Sequence, residues 1–165
     1  MELIRNVEVI GLCLYLKTEK ILVIGDVHLG YEEALNKQGI LIPRFQFKEI
    51  MVALEDIFSK VKPETVILIG DVKHEFGTIS AQEWRDTLKF LDFLLQRSKV
   101  ILLRGNHDTI LGPLAKKKVL KIKNNYFTSD CFFCHGDKLY DDLKTFKKAK
   151  TIIIGHEHPA IGIRD

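Results

Sequence analysis

The sequence predicts an α/β domain with mixed sheets, and three observations carry that prediction. Five apolar runs of four or five residues each stop at a cluster of glycine and polar residues. Amphipathic helical periods fill several of the gaps between them. Near the start, two strand-like runs follow one another with no helix between. Strands alternating with helices give an α/β layer, and consecutive strands make its sheet mixed rather than purely parallel.

Taken in order, Val7–Ile10 and Leu12–Leu16 read as consecutive strands, and Thr18-Glu19-Lys20 as the turn into the next. Ile21–Ile24 ends in Gly25-Asp26-Val27-His28. Continuous apolar runs of this length fit strands buried on both faces. Phe47, Ile50, Met51, Leu54, Ile57, Phe58 and Val61 recur at three- and four-residue spacing, which makes one helix face. Thr65–Ile69 ends in Gly70-Asp71, and the stretch from Gly70 to Ser80 is loop-like. Ser80 followed by Glu83 is a capping box, opening a helix over Ala81–Ser98 with Trp84, Leu88, Leu91 and Leu95 in its buried stripe.

Val100–Leu103 ends in Arg104-Gly105-Asn106-His107-Asp108, and Leu111-Gly112-Pro113 breaks the chain again. Val119–Ile122 reads as a strand with Lys123-Asn124-Asn125 as a turn after it. Cys131–Cys134 ends in His135-Gly136-Asp137, and Thr151–Ile154 in Gly155-His156-Glu157-His158. There is no internal repeat, low-complexity stretch or domain linker.

The 165 residues suit one domain spanning the whole sequence. With 46% apolar and 28% charged residues, the composition is that of a soluble globular protein. Neither a signal peptide nor an apolar run near the ~18 residues of a membrane span is present, so a cytoplasmic protein without a membrane partner is expected. A net charge of +3 is not the footprint of an obvious nucleic-acid binder. Two lysine clusters, Lys116–Lys117–Lys118 and Lys144, Lys147, Lys148 and Lys150, supply much of the excess. A solvated surface is the plain reading of both, and a phosphate-backbone footprint the sharper one. Cys13, Cys131 and Cys134 are too few and too odd for a disulfide framework. Cys131 and Cys134 match C-x-x-C, yet on a strand residues three apart face opposite sides, so buried structural thiols are expected.

Every histidine lies in or beside one of the polar clusters: His28, His74, His107, His135, His156 and His158. In open α/β sheets ligands bind beyond the carboxyl ends of strands, so five loops carrying Asp, His and Asn should converge on one place. Asp26 and His28 are two apart, as are His156 and His158, and an extended backbone aims each pair to one side. Imidazole with carboxylate suits Mn, Fe, Zn, Co or Ni rather than calcium. A lone His after a strand is ordinarily structural; five such clusters in one short chain reverse that weighting.

The ordered set Asp26-x-His28, Gly70-Asp71, Gly105-Asn106-His107-Asp108, His135 and Gly155-His156-x-His158 resembles the signature of the calcineurin-like metallophosphoesterases. Within that superfamily the sequence most resembles archaeal proteins related to SbcD, the nuclease subunit of a double-strand-break repair complex. Gly25-Asp-Val-His-Leu-Gly-Tyr-Glu32, Gly70-Asp-Val-Lys-His-Glu-Phe-Gly77 and Gly155-His-Glu-His-Pro159 carry this similarity. The resemblance implies a four-layer αββα sandwich with mixed sheets and two divalent metal ions, manganese first, with iron, zinc, nickel and cobalt as alternatives. It implies that Asp26, His28, Asp71 and His158 hold one metal and Asp71, Asn106, His135 and His156 the other, with Asp71 as the bridge. His107 is then the general acid that protonates the leaving oxygen, a metal-activated hydroxide is the nucleophile, and Asp108 orients His107 from behind.

The chemistry suits phosphate-ester hydrolysis on its own terms. Two cations roughly 3.5–4 Å apart clamp attacking and leaving oxygens and acidify a water. A carboxylate bridges them with two oxygens, and an imidazole works as general acid near neutral pH. His74 stands open between a substrate contact and a structural role. Arg44, after Pro43, reads as a phosphate contact or an ordinary surface residue, and Asp137 as a partner behind His135. Lys73 and Glu75 have no assigned task.

Further strands normally follow the H-x-H motif in this superfamily, and SbcD-type nucleases carry a cap domain. With seven residues after His158, the sequence reads as C-terminally truncated and capless: either a naturally short or fragmentary form, or one whose sheet a homo-oligomer or partner completes. The leading expectation is a phosphodiesterase acting on nucleic acid or nucleotides. A phosphomonoesterase or nucleotidase and a non-catalytic interaction module on the same fold are the alternatives. No P-loop and no G-x-S-x-G elbow occurs.

Overall fold

The computed structural model describes residues 1–75, 80–108, 120–138 and 143–158. The predicted break at Leu111-Gly112-Pro113, the Lys116–Lys117–Lys118 cluster, Val119, Phe76-Gly77 and Pro159 lie outside them. Among the described residues, ten strands form two sheets. The first is seven-stranded, and its strands lie side by side in chain order: β1 (Glu2–Ile4), β2 (Val7–Ile10), β3 (Cys13–Leu16), β4 (Ile21–Ile24), β5 (Thr65–Leu68), β6 (Lys99–Leu103) and β7 (Lys121–Lys123). Strands β1 to β4 pair antiparallel, while β4 to β7 pair parallel. The second sheet has β9 (Cys131–Cys134) at its centre, antiparallel to β8 (Asn125–Thr128) and parallel to β10 (Thr151–Ile154). The expected turn at Lys123-Asn124-Asn125 is shorter than its sequence suggests, because Asn125 already pairs with Cys134.

Alternation along the central strands explains the layering. Leu22, Ile24, Val66, Leu68, Val100 and Leu102 face one side, where they pack with Leu54 and Ile57 of helix α2 (Gln46–Lys60) and Phe90, Leu91 and Leu94 of α3 (Ala81–Leu95). Ile21, Val23, Ile67, Ile69, Ile101 and Leu103 face the other and meet Cys131, Phe133 and Ile153 of the second sheet. Both faces are apolar because both are covered, which is why these strands read as unbroken hydrophobic runs. On the outside of the second sheet, Phe132 packs edge-on against Phe146 of the short α4 (Leu143–Phe146), with ring centroids 5.4 Å apart. The order of layers is α, β, β, α. No described helix is long and apolar enough to cross a membrane.

Helix α3 starts as its sequence dictates: the Ser80 hydroxyl accepts from the Glu83 N–H, and the Glu83 carboxylate accepts from the Ser80 N–H. A seven-residue helix, α1 (Tyr31–Lys37), has no periodic signature in the sequence. It is held by tertiary contacts, with the Glu32 carboxylate accepting from the Phe45 and Gln46 N–H groups at the start of α2.

All three thiols are buried and unpaired by disulfides. Desolvation raises Cys13 and Cys134 to about 11 and raises Cys131 as well. In the native protein at pH 8, all three are expected to react with a thiol reagent at a small fraction of the rate seen in denaturant. Rapid labelling of Cys131 or Cys134 without unfolding would contradict this packing.

Candidate metal centre

The carboxyl ends of β4, β5, β6, β9 and β10 deliver their loops to one cleft of about 590 Å³, lined by Asp26, His28, Asp71, His74, Asn106, His107, His156 and His158 together with Val27, Tyr31 and Gln46. His135 lies fully buried beneath it. The loops reach this position through tight backbone. His28, Asp71 and His156 have φ of 47°, 44° and 63°, in the left-handed region. His and Asp tolerate it better than branched residues, and such strain clusters at functional sites. Two glycines are required by close approach: a Cβ on Gly105 would stand 2.2 Å from Asp71 Oδ1, and one on Gly155 would stand 2.5 Å from Asp26 Oδ1.

Nitrogen and oxygen donors gather in three groups among the described residues: Asp26, His28 and His158; Asp71, His135 and His156; and His28, His74 and His107. In the first, His158 Nε2 is 3.2 Å from Asp26 Oδ2, which also accepts from the His156 N–H at 2.6 Å. In the second, His135 Nε2 lies 3.3 Å from Asp71 Oδ2 and 2.9 Å from Asn106 Oδ1, and His156 Nδ1 is 3.1 Å from the same Asn106 oxygen. Asp71 Oδ1 accepts from the His107 N–H at 2.9 Å. His135 donates Nδ1–H to the Ile69 carbonyl at 2.8 Å, which fixes its tautomer and aims Nε2 at the cleft.

Charge follows from these contacts. Burial lowers the pKa of His28 and His74, and neighbouring imidazoles lower both further. Both are therefore neutral at pH 7, each with a lone pair to give. Desolvation opposes ionisation of Asp71, but hydrogen bonds from His135 and the His107 N–H outweigh it and hold the carboxyl below its usual range. Burial alone would lower His135, and the same Asp71 contact with the Ile69 carbonyl raises it on balance.

A model of the calcineurin-like phosphoesterase family matches residues 19–137. The chain belongs to the calcineurin-like phosphoesterases. It is also similar in fold to the crystal structure of Pseudomonas putida nuclease MPE, with a TM-score of 0.66 at 18% identity over 94% of this chain and 70% of that one. A second similar structure is AQ665 from Aquifex aeolicus, a protein of unknown function, with a TM-score of 0.53 at 21% identity over 85% of this chain and 80% of that one.

Calcineurin-like phosphoesterases are hydrolases that use divalent metals, and the donors here fit such ions. Asp26 Oδ1, His28 Nδ1 and His74 Nδ1 are buried with no hydrogen-bond partner among the described residues. An orphaned buried polar atom is costly, and a cation would satisfy the two in the Asp26 and His28 pair. The donor set of imidazole, carboxylate and one amide oxygen suits first-row transition ions.

Not every residue singled out in the sequence comes to this cleft. Arg44 is absent from it: its guanidinium donates to Glu33, away from the histidines. His74 does line it, with its ring stacked 5.7 Å from His107 and edge-on to Tyr31. Asp108, expected to orient His107 from behind, holds two backbone N–H groups. Its carboxylate accepts from the Val72 and Gly105 N–H groups at 3.1 and 3.2 Å, tying the β5 and β6 loops together, and burial pushes it up to about 6. The group that accepts the His107 Nδ1–H hydrogen bond is the His74 carbonyl. That carbonyl is in turn placed by Glu83, whose carboxylate accepts from the His74 and Glu75 N–H groups. A backbone acceptor leaves no signal in sequence. Neither does Gln46, whose amide donates to the Val27 and His28 carbonyls from the far end of a loop.

Gly105→Ala is expected to break the site from behind. The methyl must displace the Asp71 carboxylate or its backbone, at a cost of about 1–3 kcal/mol in stability. Thermal melts with and without manganese check this. The variant should melt lower and gain much less from the metal than the parent does.

Proposed function

We infer that this chain is a phosphodiesterase that works with two divalent cations, one held by Asp26, His28, Asp71 and His158 and the other by Asp71, Asn106, His135 and His156. The observation that supports this reading is two donor groups beside one cleft, Asp26, His28 and His158 and then Asp71, His135 and His156, with Asp26 Oδ1 and His28 Nδ1 buried and unsatisfied among the described residues. Manganese is the first candidate, and iron, zinc, nickel and cobalt match the same donors. When bound, such a pair supplies charge neutralisation at the ester oxygens and a water acidified to work near neutral pH.

The residues of the chain do the rest. His107 donates an Nδ1–H hydrogen bond to the His74 carbonyl, which leaves Nε2 as the atom that would hand a proton to the leaving oxygen. Stacking beside His107 supports His74 as a contact of the substrate phosphate. Asp108 keeps the two loops in register.

Likeness to a nuclease supports a diester, with nucleic acid or a nucleotide ester as substrate class, and the resemblance to SbcD-related proteins supports the same class. Three reduced, buried thiols suit a cytoplasmic location. A second copy or partner strand is proposed to add at β10, whose outer edge is unpaired among the described residues.

The test is release of p-nitrophenol from bis-p-nitrophenyl phosphate and from p-nitrophenyl phosphate. Turnover with manganese, faster for the diester, is expected. Folded protein inactive with manganese, cobalt, nickel and zinc alike would contradict the assignment, and a preference for the monoester would move it to a phosphomonoesterase.

A further inference from the structure

Beside the histidine-lined cleft lies a second one of about 640 Å³. The two share walls, since Asp26, Val27, Tyr31 and Gln46 face both. Their chemistry differs. The floor of the second is carbon, made by Ile50, Leu54 and Ile57 of α2 against Ile24 of β4. Its rim carries the carboxylates of Glu32 and Glu49, and no Lys or Arg lines it among the described residues. Glu32 uses Oε1 on the Phe45 and Gln46 N–H groups, which leaves Oε2 for a ligand. Tyr31 stands at the junction, 45% exposed, its ring already edge-on to His74 at 4.9 Å.

We propose that the second cleft is a nucleobase subsite, which takes the base of a nucleotide ester whose phosphate lies in the histidine-lined cleft. The placement of the phosphate rests on the phosphoesterase reading above. The base is argued from the lining. A second phosphate would meet carboxylates and no cation, so a continuing nucleic-acid backbone does not belong there. A plain alkyl chain would fit the floor but leave the rim carboxylates against carbon. A nucleobase has both an apolar face for α2 and Tyr31 and edge N–H groups for carboxylates that only accept. The volume lies in the range of small-molecule sites, and the shared wall lets one ligand occupy both clefts.

Two diesters with the same leaving group read the subsite directly: thymidine 5′-(p-nitrophenyl phosphate) and methyl p-nitrophenyl phosphate. With the manganese-loaded chain, kcat/KM for the thymidine ester is expected to be higher by on the order of tenfold or more. Ala53 is an exposed α2 residue on the cleft wall, and Ala53→Phe puts a ring into the space. It should bring the ratio of the two kcat/KM values towards one, and Tyr31→Ala should lower it. A parent ratio near one, or a ratio that Ala53→Phe leaves in place, overturns the subsite and leaves the phosphoesterase reading standing. Saturation-transfer NMR with thymidine alone needs no turnover. Transfer to the base protons that Ala53→Phe weakens supports the subsite even if neither ester is hydrolysed, and no transfer overturns it.

Discussion

Asp71→Ala is expected to abolish metal binding and activity together. Asp71 is 2% exposed, and its two oxygens face different partners: Oδ1 takes the His107 N–H, while Oδ2 lies 3.3 Å from His135 Nε2 and 3.9 Å from His107 Nε2. No other carboxylate among the described residues touches both the β6 loop and His135 in this way. Its removal leaves Asp26 as the one carboxylate in the three donor groups and His135 and His156 with none in theirs. A metal pair contributes several kcal/mol to the transition state, so kcat/KM should fall on the order of 10³-fold or more. Metal analysis after desalting should show both ions lost. Retention of near-parent metal content and turnover would remove Asp71 from the bridging role. Asp71→Asn separates charge from shape, since it keeps an acceptor for the His107 N–H and should still lose most of the activity.

His107→Ala should behave in the opposite way towards metal. The hydrogen bond from this position to Asp71 comes from the backbone N–H, which alanine retains. The donor groups Asp26, His28, His158 and Asp71, His135, His156 do not include the His107 ring. Metal content should therefore stay near that of the parent while kcat falls about 10²- to 10⁴-fold, the usual contribution of a general acid. The loss should depend on the leaving group. p-Nitrophenolate departs without a proton, so its esters should be hurt least, and an alkyl diester of high leaving-group pKa should be hurt most. A loss equal for both kinds of ester would argue that the ring only positions substrate. Loss of metal would place His107 among the ligands, consistent with its closeness to His28, at 5.0 Å between ring centroids.

Much of this arrangement is legible in the sequence, for physical reasons that also mark where legibility stops. Strands buried on both faces must be apolar throughout, so β4, β5, β6, β9 and β10 stand out as runs such as Ile21–Ile24 and Thr151–Ile154. The capping box at Ser80 and Glu83 is local chemistry and forms as read. Convergence of the histidine loops follows from where parallel strands end. What the sequence hides is non-local. Helix α1 has no periodic face and depends on Glu32 reaching the start of α2. The acceptor of the His107 Nδ1–H is a main-chain carbonyl, which no residue type announces. The actual Asp108 contacts span the β5 and β6 loops, which only the folded sheet brings together. Arg44 illustrates the same limit: a cation in a loop near a phosphate site is claimed instead by Glu33 on α1.

Diffraction from crystals grown with manganese, recorded at a wavelength where manganese scatters anomalously, tests the central claim most directly. Two peaks are predicted, one among Asp26, His28 and His158 and one among Asp71, His135 and His156, with Asp71 reaching both. A single peak, or density centred on His28, His74 and His107 with the other two groups empty, would contradict the two-cation assignment.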